Sequence, residues 1–188
     1  IFEYNQIMDD RNYTKVWISR SGVATTSAVL RQVDVIIPTL FEYYESYLSD
    51  GFRNLVRPIP FPFDVSVPEE RLFSQTEDPL QLLHVRTRPL QKGTSYIESA
   101  FERAKSMGST SRLRIVNRLS TAEFRHVLRS LDGLIDQAVA YSWGYTALEA
   151  MWRGCLVLGG NRPEARAALG IDSCPIFNLT PDPEQIAE

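Results

Sequence analysis

The chain has 188 residues, 20 Lys+Arg against 23 Asp+Glu, a formal net charge of −3, 44% hydrophobic and 11% aromatic residues. That length suits one globular domain, or one domain with a piece of another, able to bury a core without disulfide staples. The aromatic content excludes general disorder, the absence of a long apolar run argues against a membrane-spanning helix, and mild acidity argues against affinity founded on phosphate neutralisation. Only Lys15, Lys92 and Lys105 are lysines among the cations. Two cysteines, Cys155 and Cys174, in apolar surroundings read as buried free thiols, which fits a reducing compartment. His84 and His126 have no close Cys/His partners, so no structural metal site is expected.

In chain order, residues 16–18 read as a short strand and 27–32 as a short helix. Residues 33–38 (Val-Asp-Val-Ile-Ile-Pro) read as a buried strand stopped by proline. Phe41, Tyr44 and Leu48 share a helical face that should pack on something. Four prolines (Pro58, Pro60, Pro62 and Pro68) within eleven residues exclude helix and favour an extended linker. The domain boundary is placed there, with 1–60 on one side and 61–188 on the other. Residues 69–79 read as a polar loop.

Strands and helices then alternate: strand 80–85, helix 92–107 stopped by Gly108, strand 113–116, helix 120–130, strand 134–136, helix 145–153, strand 156–158, helix 163–169 and strand 176–177. Ser120-Thr121-Ala122-Glu123 has capping-box spacing. Gly154 and Gly170 follow the next two helices as stops. The expected fold class is α/β: a Rossmann-like parallel sheet with helices on both faces and right-handed crossovers. The chain begins without Met, and residues 181–188 have the Pro and acidic residues of a helix start. A helix of one turn should bury nothing, so the sequence is expected to be cut from a longer chain.

Ligands of such folds sit outside the carboxyl ends of the strands. Two strand-to-helix loops are therefore candidates. His84 to Thr94 brings Arg86, Arg88 and Lys92 beside an expected helix start, where backbone N–H groups favour an anion and Gly93 would let the backbone approach it. Its plainer reading is solvated surface cations. In the second loop, Gly144 opens a helix whose first N–H groups face the same crevice. Glu149, one turn on, is either a carboxylate for a vicinal diol or a helix-surface acid. There is no Gly-x-Ser-x-Gly, no Gly-x-Gly-x-x-Gly and no Asp-x-Asp, which disfavours a hydrolase elbow, a dinucleotide oxidoreductase and a metal-bridged diphosphate. Charge on a leaving group would then fall to cations and helix tips.

These two loops resemble those of GT-B glycosyltransferases of the family 4 (group 1) type. His84, Lys92, Gly93 and Thr94 fit His-x-Pro-Ser-x-x-x-x-Lys-Gly-Thr, with Arg86 where Pro is common and Thr87 where Ser is. Asp136-Gln137, Gly144, Glu149-Ala150-Met151, Gly154 and Val157 fit Asp-Gln-x6-Gly-x4-Glu-Ala-Met-x2-Gly-x2-Val. The resemblance runs over about 33–188 and makes 1–60 the end of an acceptor-side domain and its linker. It makes 61–188 most of a donor-binding domain.

It implies a hexosyltransferase moving a sugar from a nucleotide-diphosphate-sugar to an acceptor hydroxyl, usually with retention, with no cofactor and no obligatory metal. Lys92 and Arg88 would be catalytic, holding the diphosphate and stabilising its charge as it leaves. Glu149 would take the ribose hydroxyls, and Gly144, Tyr145, Thr146 and Gly93 would offer backbone near the phosphates. Arg118, in the Asn117–Leu119 loop, would flank the base, and Asp136 would belong to the donor site. Tyr141 stands where many relatives carry a Glu at the donor sugar. The acceptor would be a glycan, a lipid-linked molecule or a small molecule, as in cell-surface polysaccharide biosynthesis. The setting would be cytoplasmic, with membrane contact left to a domain outside these residues. Alone, the piece would be inactive. Two rivals are a nucleotide-sugar epimerase of GT-B-like fold and a non-catalytic nucleotide- or sugar-binding module.

Overall fold

The computed structural model describes residues 27–64 and 79–188. The strand expected at 16–18, the end of the proline linker and nearly all of the 69–79 loop lie outside the described residues. The chain divides into two compact units, residues 1–61 with 163–173, and residues 62–162 with 174–188.

In the first unit, residues 27–30 are helical and α1 spans Phe41–Ser49. The buried strand expected at 33–38 is reduced to one bridge, Ile36 beside Leu55. Ile36 is buried, whereas Val33, Val35 and Ile37 are exposed; among the described residues this segment makes backbone–backbone bonds at Ile36, to Asn54 and Val56, and at Pro38, whose carbonyl accepts from the Ile59 N–H at 2.9 Å. On α1, Phe41 and Tyr44 of the expected packing face are half-buried, while the most buried positions are polar. Glu42 and Ser46 are buried and Leu48 is exposed. α1 packs against α6, Pro163–Leu169, whose buried residue is Ala165. Tyr47 meets Phe52 edge-on at 6.2 Å.

The second unit carries β1 (Gln81–Val85), α2 (Pro89–Lys92), α3 (Thr94–Ser106), β2 (Arg112–Val116), α4 (Thr121–Leu128) and β3 (Gly133–Ile135). It continues through α5 (Tyr145–Trp152), β4 (Leu156–Gly159), β5 (Ile176–Asn178) and α7 (Pro183–Ala187). The five strands are parallel in the order β2-β1-β3-β4-β5, which is the expected α/β Rossmann-like class. Central strands run apolar without alternation because both faces are covered: all of β3 and the last three residues of β1 are buried. The chain leaves β1 for β2 on one side, then returns to β3 on the other. A crevice therefore opens at the carboxyl ends of β1 and β3, where such folds take ligands.

Local chemistry sets most boundaries. Ser120 Oγ accepts from the Glu123 N–H at 3.3 Å, and Glu123 Oε2 accepts from the Ser120 N–H at 2.7 Å, completing the capping box of α4. Ile97, Ile135, Ala138 and Leu179 form a core cluster, against which Leu82, Leu113, Leu158 and Ile186 pack. Burying a side chain such as Ile97 contributes about 1.5–3 kcal/mol. The presence of Ile186 corrects one expectation. The last turn of chain, α7, docks on α3, capped by Asp182 Oδ1 on the Glu184 N–H at 2.9 Å and tied by Arg103–Glu184 at 3.4 Å. Cys155 is a buried free thiol facing the carbonyls of Leu128 and Leu131, while Cys174 is free but only half-buried.

Candidate functional site

The crevice is built first by His84 at the end of β1. Its Nδ1 lies 2.8 Å from the Ile135 carbonyl, which only accepts, so Nδ1 carries the proton. Nε2, 2.8 Å from Thr94 Oγ1, must then accept from the threonine hydroxyl. Burial lowers the pKa of the ring and the Lys92 charge lowers it further, against the Ile135 hydrogen bond. A neutral His84 thus ties β1, β3 and the first turn of α3 together.

The expected helix over 92–107 is in fact broken, and the break changes the electrostatics. Pro89 starts the one-turn α2, Lys92 ends it, and Gly93, at φ +69°, caps α3. Lys92 therefore ends a one-turn helix two residues before α3 begins, and its charge is answered from within the fold by Asp136. Its Nζ donates to Asp136 Oδ1 at 2.7 Å and approaches the Asp136 carbonyl at 3.4 Å. The two side chains are 12% and 2% exposed. Thr146 Oγ1, on the first turn of α5, donates to the same Asp136 oxygen at 2.7 Å. Burial pushes the Asp136 pKa up, but the Lys92 charge and hydrogen bond, the Thr146 hydroxyl and the Gly144 N–H outweigh it and hold it below the usual carboxylate range.

Gly93 is required by the packing of the fold itself. A Cβ there would lie 2.8 Å from Val139 Cγ2 and 3.2 Å from Ala138 Cβ, in a backbone conformation that side chains disfavour. The glycine lets the β1 loop close on the β3 loop, sealed by Ala138 N–H to Lys92 O at 3.0 Å. Gly160, after β4, plays the same part: a Cβ would run into the Ala140 and Ser142 carbonyls. Three loops are thereby locked side by side.

Glu149 is neither an open acid nor a surface one. It is 3% exposed. Its Oε1 accepts from Arg125 Nε at 3.0 Å and Arg153 Nε at 3.1 Å, and its Oε2 accepts from Arg125 Nη2 at 3.3 Å. Glu149 raises the pKa of Arg125 through hydrogen bond and charge. Arg153 is an ion-pair partner at i+4, a spacing visible in the sequence. Arg125 comes from α4, 24 residues away, and no local pattern announces it. Thr146 and Glu149, three residues apart, lie on one side of α5, so Lys92–Asp136–Thr146 and the Glu149 cluster share that helix.

The remaining expected residues lie around this centre. Arg88 and Arg118 are exposed at the ends of β1 and β2. Arg86 is engaged, through Asn117 Oδ1 at 2.6 Å and Glu98 at 3.6 Å. Tyr145, 43% exposed, packs on Phe63 at 5.5 Å between ring centres, and Phe63 also meets Trp152 at 6.3 Å. Tyr141 lies under the guanidinium of Arg162, 4.0 Å from ring centre to Cζ. The loops leaving β1 to β4 hold five cations, Arg86, Arg88, Lys92, Arg118 and Arg162, and one carboxylate, Asp136, in a chain of net charge −3. Among the described residues no group of three or more His, Cys, Asp or Glu is placed to hold a metal ion, and no helix is long and apolar enough to cross a membrane.

Sheet order and a crevice at the switch point define a Rossmann-like α/β domain of the kind that makes up half of a GT-B fold. No protein-family model matches the chain, and no curated protein does. Among solved structures it is similar to that of TarM, a glycosyltransferase, with a TM-score of 0.59 over 96% of this chain at 11% identity. The chain spans 40% of the length of TarM. At that identity the likeness is one of fold.

Proposed function

We propose that this chain is the donor-binding part of a GT-B glycosyltransferase of the family 4 type, with a remnant of the acceptor-side domain in residues 1–60. The donor is a nucleotide-diphosphate-sugar and the acceptor a hydroxyl of a glycan, a lipid-linked molecule or a small molecule, in cell-surface polysaccharide synthesis on the cytoplasmic side. The observation that carries this reading is the convergence of Lys92 and the tip of α5 on Asp136, at the switch point of the sheet.

A diphosphate arriving there exchanges with Asp136 for part of Lys92 and takes the N–H groups of Gly144, Tyr145 and Thr146. These cations and dipoles stabilise the charge that develops as the sugar departs; the family 4 resemblance adds that the transfer needs no metal and proceeds with retention. Arg88, exposed beside Lys92, closes on the phosphates, and Arg118 flanks the base. Glu149 Oε2, which holds one long hydrogen bond to Arg125, has lone pairs left for ribose hydroxyls.

Calorimetry with UDP, GDP and ADP tests this, with Lys92→Ala as control after its fold is checked by circular dichroism. One nucleoside diphosphate should bind, and Lys92→Ala should weaken it at least about tenfold, the value of one charge-assisted contact. A folded chain that binds none of the three at millimolar concentration would refute the proposal. One observation favours a second reading, a non-catalytic module: Lys92 and Glu149 are both already neutralised from within. The intact protein would then bind donor without ever transferring or hydrolysing it.

A further inference from the structure

Arg162 is the one cation of the crevice loops that is partly buried and has no polar partner for its side chain among the described residues. Its Nε is buried without a hydrogen bond, and its only recorded side-chain contact is the face of Tyr141. A guanidinium is always charged and carries five N–H donors, so burying its Nε without a partner is unfavourable unless something else completes it.

The residue is also held firmly. Its own N–H donates to the Tyr141 carbonyl at 3.0 Å. Gly160 presses the loop onto the Ala140 and Ser142 carbonyls. Asn161 is anchored to β5 through Ile176 O at 2.7 Å and Asn178 Oδ1 at 2.8 Å. A planar guanidinium laid on an aromatic ring keeps its edge free for two parallel hydrogen bonds, the geometry that suits a carboxylate or phosphoryl group.

Its place in the sheet says which part of a ligand it would meet. β4 lies beside β3, on the side away from β1 and β2. Resting on the donor reading above, the base lies toward the loop after β2 and the diphosphate at β1 and β3. Whatever follows the nucleoside along the same line reaches the loop after β4. We infer that Arg162, stacked on Tyr141, is the specificity residue for an oxyanion at the far end of the donor: a carboxylate on the transferred sugar, or the distal phosphoryl group.

The test uses the nucleoside diphosphate that binds best of UDP, GDP and ADP, its neutral hexose conjugate and its uronate conjugate, each titrated into wild type, Arg162→Gln, Arg162→Lys and Tyr141→Phe. Arg162→Gln should weaken the uronate conjugate by about tenfold or more. Arg162→Lys should recover part of that loss, and Tyr141→Phe, which keeps the ring, should change little. If the free diphosphate and the neutral conjugate are spared, the oxyanion is the sugar carboxylate. If all three weaken together while thermal stability stays at the wild-type value, it is the distal phosphoryl group. Binding of all three ligands unchanged by Arg162→Gln would overturn the inference and leave the donor reading standing. A wild type that binds no nucleotide removes both.

Discussion

Replacing Lys92 by Met tests the buried ion pair on which the site is built. The substitution keeps the length of the side chain and removes its charge, leaving Asp136, 1% exposed, with the Thr146 hydroxyl and the Gly144 backbone as its remaining support. Breaking a buried pair by deleting one partner costs about 3–5 kcal/mol. For a chain of this size that is a fall of roughly 6–20 °C in Tm.

The sign of the pH dependence sharpens the test. In the wild type the folded-state pKa of Asp136 is depressed, so its stabilisation is full above the unfolded value near ~3.9 and is lost as pH falls through the lower folded value. Without Lys92, burial is the largest remaining influence and the folded pKa rises. The variant is then most penalised where Asp136 must stay ionised, and it recovers relative to wild type as pH falls from about 5 toward 3. Urea unfolding followed by circular dichroism across that range reads both effects. The double variant Lys92→Met, Asp136→Leu should regain most of the loss, since a buried pair replaced by apolar groups is often neutral. A single variant within about 1 kcal/mol of wild type at neutral pH, or one with the wild-type acid slope, would refute the reasoning.

Other expectations follow from the same geometry. Gly93→Ala should cost at least about 1–2 kcal/mol from its left-handed backbone alone, plus the clash with Val139; Val139→Ala in that background should return only the steric part, read by urea unfolding. Glu149→Gln leaves Arg153, 15% exposed, without its counter-charge and should lower stability by ~3 kcal/mol, whereas Arg125→Ala, at a side chain 47% exposed, should cost under about 1 kcal/mol. His84 has a folded pKa below its ordinary 6.5, so the unfolded chain takes up the proton first. Stability should fall as pH drops below that value, and His84→Asn should flatten this limb of a stability–pH curve. In the native protein Cys174 should react with a thiol reagent much faster than Cys155, and unfolding should equalise them.

The sheet was legible because its signals are local. Buried parallel strands appear as short apolar runs, and the capping box at Ser120 and the glycines after α5 and α6 mark helix ends within a few residues. What escaped depends on partners distant in sequence. Residues 33–38 have the composition of a buried strand, but a strand is made by a neighbour, and among the described residues only Ile36 and Pro38 find backbone partners, in 54–59. On α1 the periodicity of Phe41, Tyr44 and Leu48 gives no sign that Glu42 and Ser46 are the most buried positions. The break at Gly93 was hidden because Pro89 and the apolar spacing beyond Gly93 both suit helix, and the close approach of Val139 that forces a glycine comes from another loop. Lys92 and Glu149 were found as residues, but their partners, Asp136 across 44 positions and Arg125 across 24, lie beyond any local window.

Those partners bear on how such a site works. A lone buried lysine or glutamate would be costly before any ligand arrived, and would shift its pKa to escape the charge. On the donor proposal, each is neutralised by a group that a ligand can replace in kind. Asp136 presents to Lys92 the same oxyanion that a phosphate would, and Arg125 presents to Glu149 the N–H donors that stand in for hydroxyls. Binding is then an exchange of partners, and its driving force is the difference between two sets of similar contacts. Affinity from these two centres alone should be modest, and discrimination should rest on cations not already answered within the fold. Arg88 and Arg118 are exposed and adaptable. Arg162 is held by its loop and has no polar side-chain partner among the described residues, so on the donor proposal the chemistry of the transferred group should be read there.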